Sequence, residues 1–508
     1  MRSAFSAVAI GVALILPTVS LAKTSESFEI SGWIPYWRAE LGAQSILPNL
    51  SSFTEVNPFV YSVKQDGSLF LNSPLDSEPW TSLRAKAREL NIRFIPTVMW
   101  ANPDAIDDVL RDPAKRAEHV RGIVREVYAR GLDGIDIDYE GKYARTRPYF
   151  SLFLKDLYEA MGYDKWVMCT IEARTPLDSR FSSPEAIPTD IEYANDFPEI
   201  NKYCDRVRIM AYDQGRFDLK LNDMKGHPYV PVADTDWVEK VMRLTAEDID
   251  TDKLVIGVAT YGYEYDMFTE QASGQVAAVA AVLNENDTMR YSRLWSFNPG
   301  YALDFAAKLG LIPTRNSAGE MQITYPASQS LGSAIPLPFA TRIMSWSDAG
   351  AIDEKAKLAK ELGLRGIAVF KIDGGQDPNA WSIFASHRNT APVTVASPVL
   401  NTEASPENAS GAPSAGSSLS IPARDLEYGL RIEDVRALQK LLNAHGFTVA
   451  SGVDSTVSPQ GGSPGNETVF FGPATRAALI RFQKANNIKP AIGYFGPITR
   501  KVFHSLGS

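Results

Sequence analysis

From residue 28 onwards, the chain alternates short runs of β-branched and aromatic residues with longer segments of helical periodicity. Helical segments such as DPAKRAEHVRGIVREVYARG space their apolar residues at i, i+3, i+4 and i+7. The strand-like runs, in chain order, are FEISGWIPYW, FTEVNPFVYSV, IRFIPTVMW, GLDGIDIDYE, WVMCTIEA, RVRIMAYD, KLVIGVATYGY and RGIAVFKID. Strands that alternate with helices predict βαβ units around a parallel sheet. Eight such units predict an α/β fold of the (β/α)8 TIM barrel type.

The span from residue 28 to 388 is longer than the roughly 250 residues that a barrel of this kind requires. The widest gap between predicted strands runs from 264 to 340, between the seventh and the eighth, and we expect a small inserted subdomain there. After Arg388 the composition changes to Pro, Ser, Ala, Thr and Gly, which predicts a flexible linker over 389–423.

Residues 424–508 regain hydrophobic periodicity, in DVRALQKLLNAHGF and ATRAALIRFQKANNI. FGPATR at 471–476 recurs as FGPITR at 495–500, and in both copies a Gly-Pro pair leads into a predicted helix. The stretch ASGVDSTVSPQGGSPGNE resembles a loop insertion between the first two helices. We therefore expect a small, mainly helical C-terminal domain.

The N-terminus combines Arg2, an apolar stretch from Ala4 to Leu16 and a small-x-small site at residues 20–22. This pattern predicts a secretory signal peptide over 1–22 and hence export; retention as an uncleaved anchor is the alternative. No later stretch has the roughly 20 apolar residues that span a bilayer, so we expect no membrane association after its removal. The net charge of -9 argues against nucleic acid as a partner, and we expect a monomer.

Two cysteines, Cys169 and Cys204, are an even count in an oxidising compartment, so a disulfide has to be considered. If the fifth and sixth strands are aligned at their C-terminal ends, Cys204 lies about five residues below Cys169. At about 3.3 Å per residue, this separation exceeds the 7 Å between Cα atoms that a disulfide tolerates. We therefore expect two buried thiols.

The fourth predicted strand, GLDGIDIDYE, carries four carboxylates in an apolar run. Because side chains alternate along a strand, Asp136, Asp138 and Glu140 share one face, and Ile135 and Ile137 lie on the other. In a barrel the three acids would point inward and rise in steps of about 6.6 Å towards the C-terminal mouth, where barrel active sites lie. Burial and like charge raise at least one pKa, which suits a general acid in the outermost position.

Two other interpretations of these acids are open. A solvated edge strand or a structural ion-pair cluster also places carboxylates on one face of a strand. A divalent metal site needs ligands from several loops, and with only five His in the chain no such set is apparent, so we expect no metal. Asp133 is out of phase with the other acids, and for it we expect a structural role near the start of the strand.

DGIDIDYE resembles the strand-four signature of glycoside hydrolase family 18, Asp-Gly-x-Asp-x-Asp-x-Glu, with every required position filled. MAYD at 210–213 is similar to the family's Met-x-Tyr-Asp element at the end of strand six, and GVATYGY resembles its strand seven. The stretch IMSWSDAGAIDEKAKLAKELGLRGIAVF is similar to a bacterial branch found among spore-cortex and cell-wall glucosaminidases. The resemblance covers about 28–385 and implies a catalytic domain over 23–388.

The family cleaves β-1,4 bonds next to N-acetylglucosamine with retention, and the substrate's own acetamido oxygen is the nucleophile. The resemblance implies that Glu140 protonates the leaving oxygen and later activates water. Asp138 would hydrogen-bond the acetamide N–H, and Asp136 beneath it would share a proton with Asp138 and be neutral. Tyr212 would donate to the acetamide oxygen, and Asp213 would bind the sugar before the cleaved bond. No cofactor is implied.

This sequence departs from the family pattern at two strands. The strand-three Ser-x-Gly-Gly is absent, and the corresponding segment is TVMWAN. On strand eight the tryptophan that commonly forms the floor of the sugar site is replaced by Phe370. Trp100, Trp346 and Trp381 are candidate substitutes, although core packing is the commoner use of such residues. The set of expected substrate-binding residues is Asp213, Tyr261, Phe370, Trp100 and Met210.

Two further expectations concern residues near the mouth of the barrel. Tyr261 and Tyr263 have the same phase on the predicted seventh strand, and we expect both to face the interior. Glu172, at the top of strand five, is either a polar sugar contact or an ion-pair partner of Arg174.

The C-terminal domain resembles a type 1 peptidoglycan-binding domain, in which apolar positions such as Leu438 and Phe482 form the core. Together the two resemblances imply an exported or cell-wall-associated glycosidase of a polysaccharide that contains N-acetylglucosamine. Peptidoglycan is the favoured polymer and chitin the next. The alternative is a non-catalytic, lectin-like protein, because family barrels that lose the acid bind glycans without cleaving them.

Overall fold

The computed structural model describes residues 28–269, 289–326 and 341–388 and, in the C-terminal region, 421–422, 424, 426, 433–449, 464, 467–469, 471–486, 488 and 493–506. The expected signal peptide at 1–22 and nearly all of the expected linker at 389–423 lie outside the described residues. No described helix has the length and apolar character needed to cross a membrane.

The described strands are β1 (Glu29–Pro35), β2 (Glu55–Val63), β3 (Leu69–Leu71), β4 (Arg93–Phe94), β5 (Thr97–Trp100), β6 (Gly134–Tyr139), β7 (Trp166–Glu172), β8 (Arg206–Met210), β9 (Leu254–Ala259), β10 (Gly262–Thr269), β11 (Met289–Phe297), β12 (Thr314–Arg315), β13 (Met321–Pro326), β14 (Thr341–Trp346) and β15 (Gly366–Phe370). The described α-helices are α1 (Ala39–Ile46), α2 (Trp80–Glu89), α3 (Pro103–Arg111), α4 (Pro113–Ala129), α5 (Arg147–Met161), α6 (Leu177–Arg180), α7 (Phe197–Tyr203), α8 (Leu219–Lys225), α9 (Thr235–Thr245), α10 (Pro299–Leu309), α11 (Ala349–Glu361), α12 (Ala380–His387), α13 (Glu433–Ala444), α14 (Pro473–Ala485) and α15 (Pro497–Leu506).

Eight parallel strands close into a barrel in the order β1-β15-β9-β8-β7-β6-β5-β2, and β2 pairs back to β1. The helices that follow the strands pack around this sheet through a continuous apolar core. The prediction of a (β/α)8 barrel is therefore confirmed. The predicted third strand is divided into β4 and β5, which flank Ile95 and Pro96.

The predicted seventh strand is also divided, because β9 ends at Ala259 and β10 belongs to a second sheet. This sheet is antiparallel, with the order β11-β10-β14-β13-β12, so the insertion extends beyond the expected 264–340 on both sides. Gly262 is the first residue of β10, and a residue with a side chain does not fit there, because a Cβ would lie 2.3 Å from the carbonyl oxygen of Ser345. Trp346 packs on Phe297 in the core of this sheet, so this tryptophan forms no sugar platform.

The expectation of two free thiols is wrong, because Cys169 and Cys204 form a disulfide with a Cα–Cα distance of 5.9 Å. Cys169 pairs with Val207 in the sheet, so Cys204 lies only three positions before that level. Cys204 is also not part of β8; it ends α7, where the chain is turning onto the sheet. A strand-based rise per residue therefore overestimated the separation.

In the C-terminal domain, α13, α14 and α15 enclose a small apolar core, as expected for a mainly helical domain. The sequence repeat has a structural reason. Gln439 donates to the hydroxyl of Thr475 at 2.9 Å and accepts from the backbone of Thr468. Gln483 donates to the hydroxyl of Thr499 at 3.1 Å and accepts from the backbone of Gly493. Each FGP-x-TR motif is thus held by a buried glutamine on the preceding helix. Most of the expected loop insertion at 450–467 lies outside the described residues.

We expect the disulfide to raise the free energy of unfolding by about 2–4 kcal/mol, because it closes a loop in the unfolded chain. Its cysteines are 35 residues apart. Urea unfolding of the wild type should show a lower midpoint when dithiothreitol is present. The double variant Cys169→Ala/Cys204→Ala is the control, and its midpoint should not respond to the reductant. Equal wild-type midpoints in both conditions would contradict the assignment.

Candidate active site

The three in-phase acids of β6 form a column inside the barrel. Asp136, Asp138 and Glu140 are all buried, and they rise in that order towards the C-terminal ends of the strands. Tyr139, between the last two, points the other way and packs on Phe153 of α5. The structure thus brings the three acids together on the inward face.

Asp136, at the bottom of the column, has donors on both carboxylate oxygens. Trp33 and Thr97 donate to Oδ2 at 2.9 and 2.8 Å, and Thr170 donates to Oδ1 at 2.9 Å. The guanidinium of Arg208 lies 3.0 Å from Oδ1. Every contact of this buried carboxyl group is thus with a hydrogen-bond donor or a cation, as burial of a polar group requires.

The interior below Asp136 is filled by ion pairs rather than by the aliphatic side chains usual in such barrels. Glu29 pairs with Arg93 at 2.9 Å and with Arg206 at 2.7 Å. Glu55 pairs with Arg93 at 2.9 Å and also contacts Arg208. Together with Asp136, three carboxyl groups therefore face the three guanidinium groups of Arg93, Arg206 and Arg208.

The upper two acids form no ion pair with a guanidinium group among the described residues, and the nearby cation is Lys142. Burial raises the pKa of Asp138 well above its usual range, and the charges of Glu140 and Asp136 add to the effect. Burial, followed by the charge of Glu172, raises the pKa of Glu140 to about 8, although Lys142 opposes this. Both groups therefore favour the protonated form at neutral pH.

The expectation that Asp136 is neutral and shares a proton with Asp138 stays a prediction. All contacts of Asp136 are with donors or a cation, whereas Asp138 Oδ1 is buried without a hydrogen-bond partner among the described residues.

An aromatic wall stands beside the column. Tyr212 stacks on Phe370 with 6.0 Å between ring centroids and a 23° interplanar angle, and Tyr261 packs edge-on against both rings. Gly257 makes room for this arrangement, because a Cβ there would lie 3.0 Å from the Tyr212 ring and 2.5 Å from the Ile209 carbonyl oxygen.

Asp213 follows Tyr212 and has a φ of 60°, in the left-handed region that is rare for a residue with a side chain. Tyr261 and Tyr263 donate hydroxyl hydrogen bonds to its Oδ1 at 2.7 and 2.8 Å. Burial raises the pKa of Asp213, and the two hydrogen bonds and Arg293 oppose it. Both tyrosines face the site as expected, but Tyr263 does so from β10 of the insertion rather than from the seventh barrel strand.

Residues 32–375 match the family model of glycosyl hydrolases family 18, and residues 431–502 match that of a peptidoglycan binding domain. The first match covers more than half of the chain. The chain belongs to glycosyl hydrolases family 18.

Similar proteins of the family include the cortical fragment-lytic enzyme of Bacillus cereus, 20% identical over 65% of this chain and 69% of that protein. The uncharacterized glycosylase YvbX of Bacillus subtilis (strain 168) is 19% identical over 49% of this chain. The chain spans 59% of the length of YvbX, less than two thirds.

Solved structures share the fold. The spore cortex-lytic enzyme SleL of Bacillus cereus has a TM-score of 0.53 and 17% identity, covering 73% of this chain and 76% of that one. A class V chitinase of Pseudomonas fluorescens Pf-5 has a TM-score of 0.54 and 19% identity, covering 71% of this chain and 99% of that one.

Within this family 18 barrel, Trp100 was expected to contact the sugar, but its side chain points away from the barrel interior. Trp100 is in register with the outward-facing Tyr139, and its ring packs 5.4 Å from the rings of Tyr139 and His119. It therefore lies in the layer between sheet and helices, and the half-buried Met99, in register with Asp138, has the inward phase instead. Trp381 likewise packs on Phe384 in the core.

The remaining predicted positions lie at opposite ends of the barrel. Met210 is half-buried at the mouth, in register with Glu172. Asp133 lies at the other end, where its carboxylate accepts from the backbone N–H of Phe94 at 2.7 Å.

Sequence reasoning missed the partners of these acids. No role was assigned to Arg208 in the predicted strand RVRIMAYD, although it has the same alternation phase as Met210 and lies inside the barrel. Glu172 does not pair with Arg174, which stacks on Tyr193 and Phe197 instead. Glu172 lies 3.5 Å from the ammonium of Lys142, a residue to which no role was given. Among the described residues, no group of His, Cys, Asp and Glu side chains is arranged to hold a metal ion.

We expect Arg208→Met to lower the free energy of unfolding by about 3–5 kcal/mol, because Glu55 and Asp136 would stay buried without this cation. Urea unfolding measures the change. Arg243→Met is the control, because Arg243 forms an exposed pair with Glu239 and should change the midpoint far less. Equal effects of the two substitutions would contradict the importance of the buried network.

Proposed function

We propose that the protein is an exported, retaining glycoside hydrolase that cleaves β-1,4 bonds next to N-acetylglucosamine by substrate-assisted catalysis. The observation that carries this proposal is the column itself. A carboxyl group that holds its proton near neutral pH lies directly above a buried carboxyl oxygen that has no partner among the described residues.

Glu140 is the general acid of the proposed reaction. Its proton passes to the glycosidic oxygen as the bond to the anomeric carbon breaks, and the substrate's acetamido oxygen forms a new bond to that carbon. The leaving sugar diffuses away, and Glu140, now ionised, takes a proton from water as the water oxygen attacks the anomeric carbon. The second step restores the acetamide and the protonated acid, with net retention.

Asp138 orients the nucleophile in this mechanism. Its unpartnered Oδ1 is available to the acetamide N–H, which becomes more acidic as positive charge develops in the cyclic intermediate. Asp136 lies below it and is held in place by Trp33, Thr97 and Thr170. Tyr212 supplies a hydroxyl donor for the acetamide oxygen, and Asp213, held by two tyrosines, binds the sugar on the same side of the cleaved bond.

The floor of this sugar site is formed by Phe370. Its ring lies against Tyr212 and Tyr261, so a pyranose face would stack on a smaller surface than a tryptophan offers. Aromatic contacts of this kind contribute about 1 kcal/mol, and the difference is a fraction of that amount.

The C-terminal domain supports peptidoglycan as the polymer and the cell wall as the location. A linker that tethers a wall-binding domain to the barrel raises the local concentration of bonds to cleave without any new contact in the active site. The names of the cortex-lytic relatives agree with this choice, and those of the chitinases make chitin the second candidate. Mass spectrometry of products released from both polymers, side by side, distinguishes them.

The rival function is glycan binding without cleavage. Both functions use the same groove and the same aromatic wall, so affinity for glycan does not separate them. The raised pKa of Glu140 favours catalysis, because a protonated carboxyl group is what the first chemical step consumes.

We expect Glu140→Gln to lower kcat on 4-nitrophenyl N,N′-diacetylchitobioside on the order of 10²–10⁴-fold, because the amide cannot donate and then recover the proton. Binding to insoluble glycan should persist, since the side chain keeps its size. Glu239→Gln, on the exposed face of α9, is the control and should leave kcat unchanged. Equal turnover by the Glu140 variant and the wild type would contradict the assigned acid.

A chain that ends at Arg388 should hydrolyse the soluble chitobioside as fast as the full chain. It should sediment less with purified cell-wall sacculi, because the C-terminal domain is missing. Sedimentation assays at matched protein concentration measure the difference. Unchanged sedimentation would show that the C-terminal domain does not anchor the protein.

A further inference from the structure

The chain turns sharply directly after Glu140. Gly141 has a φ of 64°, so a residue with a side chain would be strained at this position. Such a turn can orient the preceding side chain only if its backbone groups are held, because a free turn of this kind would move.

Two side chains hold the turn from opposite sides. Glu172, at the end of β7, accepts the backbone N–H of Gly141 through Oε1 at 2.8 Å. The ammonium group of Lys142 folds back onto the carbonyl oxygen of Tyr139, on the other side of Glu140. The same ammonium lies 3.5 Å from Oε2 of Glu172, and it packs 4.6 Å from the ring centroid of Phe150.

Glu172 is itself held by a neighbouring loop. The side-chain amide of Asn195 donates to its Oε2 at 2.8 Å, and Arg174 donates to the carbonyl oxygen of Asn195 at 3.2 Å. Both oxygens of Glu172 thus have protein partners, which fix the orientation of its carboxylate.

We infer that Glu172 and Lys142 are positioning residues for Glu140: they lock the turn that follows the acid and hold two opposite charges beside its carboxyl group. This inference rests on the proposed function. The other ionisable groups that face Glu140 are Asp138 from the same strand, and Asp213 with its neighbour Tyr212 from the end of β8.

The sign of each charge predicts opposite effects. The negative charge of Glu172 raises the pKa of Glu140, whereas the positive charge of Lys142 lowers it. Removing Glu172's charge therefore makes Glu140 lose its proton at lower pH, and removing the charge of Lys142 makes it keep the proton to higher pH. If Glu172 and Lys142 only stabilised the fold, substituting them would not shift the pKa of Glu140 in opposite directions.

The test compares Glu172→Gln and Lys142→Met in the full chain, with the chitobioside as substrate. The alkaline limb of the pH profile of kcat/KM reports the acid in the free enzyme. It should move to lower pH in Glu172→Gln and to higher pH in Lys142→Met. The control pair is Glu159→Gln and Lys155→Met, an exposed ion pair on α5, and neither should move the limb.

A second pair of variants tests the turn itself. Glu172→Ala removes the acceptor of the Gly141 N–H and should lower kcat on the order of 10²-fold, because misplacing a catalytic group by about 1 Å costs this much. Glu172→Gln should restore most of that loss, since its amide oxygen still accepts the N–H. A higher KM with an unmoved pH limb would make Glu172 a sugar contact and overturn the inference.

The ¹³C shift of the Glu140 carboxyl group, identified by its loss in Glu140→Gln, gives a readout without substrate. Its titration midpoint should move in the same two directions. If the wild type does not cleave the chitobioside, the proposed function fails, whereas the titration still decides the inference. Glu172→Gln is sufficient on its own if Lys142→Met does not fold, because Glu172 is half-exposed and the substitution preserves its shape. An unmoved midpoint in Glu172→Gln overturns the inference.

Discussion

The contact between Asp136 and Arg208 is the interaction on which the rest of the site depends. Both side chains are almost inaccessible to water, so neither charge could stay buried alone. Arg208 also contacts Glu55, which pairs with Arg93, and this links the acids of β6 to the base of the barrel. A polar interior of this kind gains little stability over an aliphatic one. What it provides is a carboxyl group held in one position on the barrel axis, beneath the acids that are proposed to react.

The pKa values of the two upper acids are raised chiefly because both side chains are buried. Asp138 is buried next to Asp136, and Glu140 lies above both. The charges of Glu140 and Asp136 add to the effect of burial on Asp138, and the charge of Glu172 adds to it on Glu140, whereas the hydrogen bond between Asp138 and Glu140 lowers the pKa of Glu140. In the proposed mechanism, this arrangement keeps a proton on Glu140 where the leaving group needs one.

Alternation along a single strand was sufficient to predict the column of Asp136, Asp138 and Glu140, because the phase within one strand does not depend on its neighbours. Every error came from the relation between strands or from a strand end. Cys204 was placed by a strand rise that does not apply where α7 ends, and Tyr263 was assigned to a strand that stops at Ala259. Trp100 could have been excluded as a sugar contact, because its side chain lies on the opposite face of the strand from that of Thr97. The strand is, however, too short and too interrupted for this alternation to be recognised from the sequence. Arg208 could be recognised as the partner of Asp136 only once the register of β6, β7 and β8 was known.

The outer face of β6 shows how the pH response is confined to the interior. Tyr139 lies between the two upper acids in sequence, and its hydroxyl is hydrogen-bonded to Nε2 of the buried His119. Nδ1 of this ring faces the carbonyl oxygen of Gly67, which can only accept, so Nδ1 carries the proton and Nε2 accepts from the tyrosine. Burial lowers the pKa of His119 to about 4. The ring is therefore neutral throughout the range in which Glu140, with a pKa of about 8, changes its charge. The hydrogen-bonded pair of His119 and Tyr139 behind the strand therefore does not change its charge in this pH range. The geometry of the acids can stay constant while Glu140 gains or loses its proton.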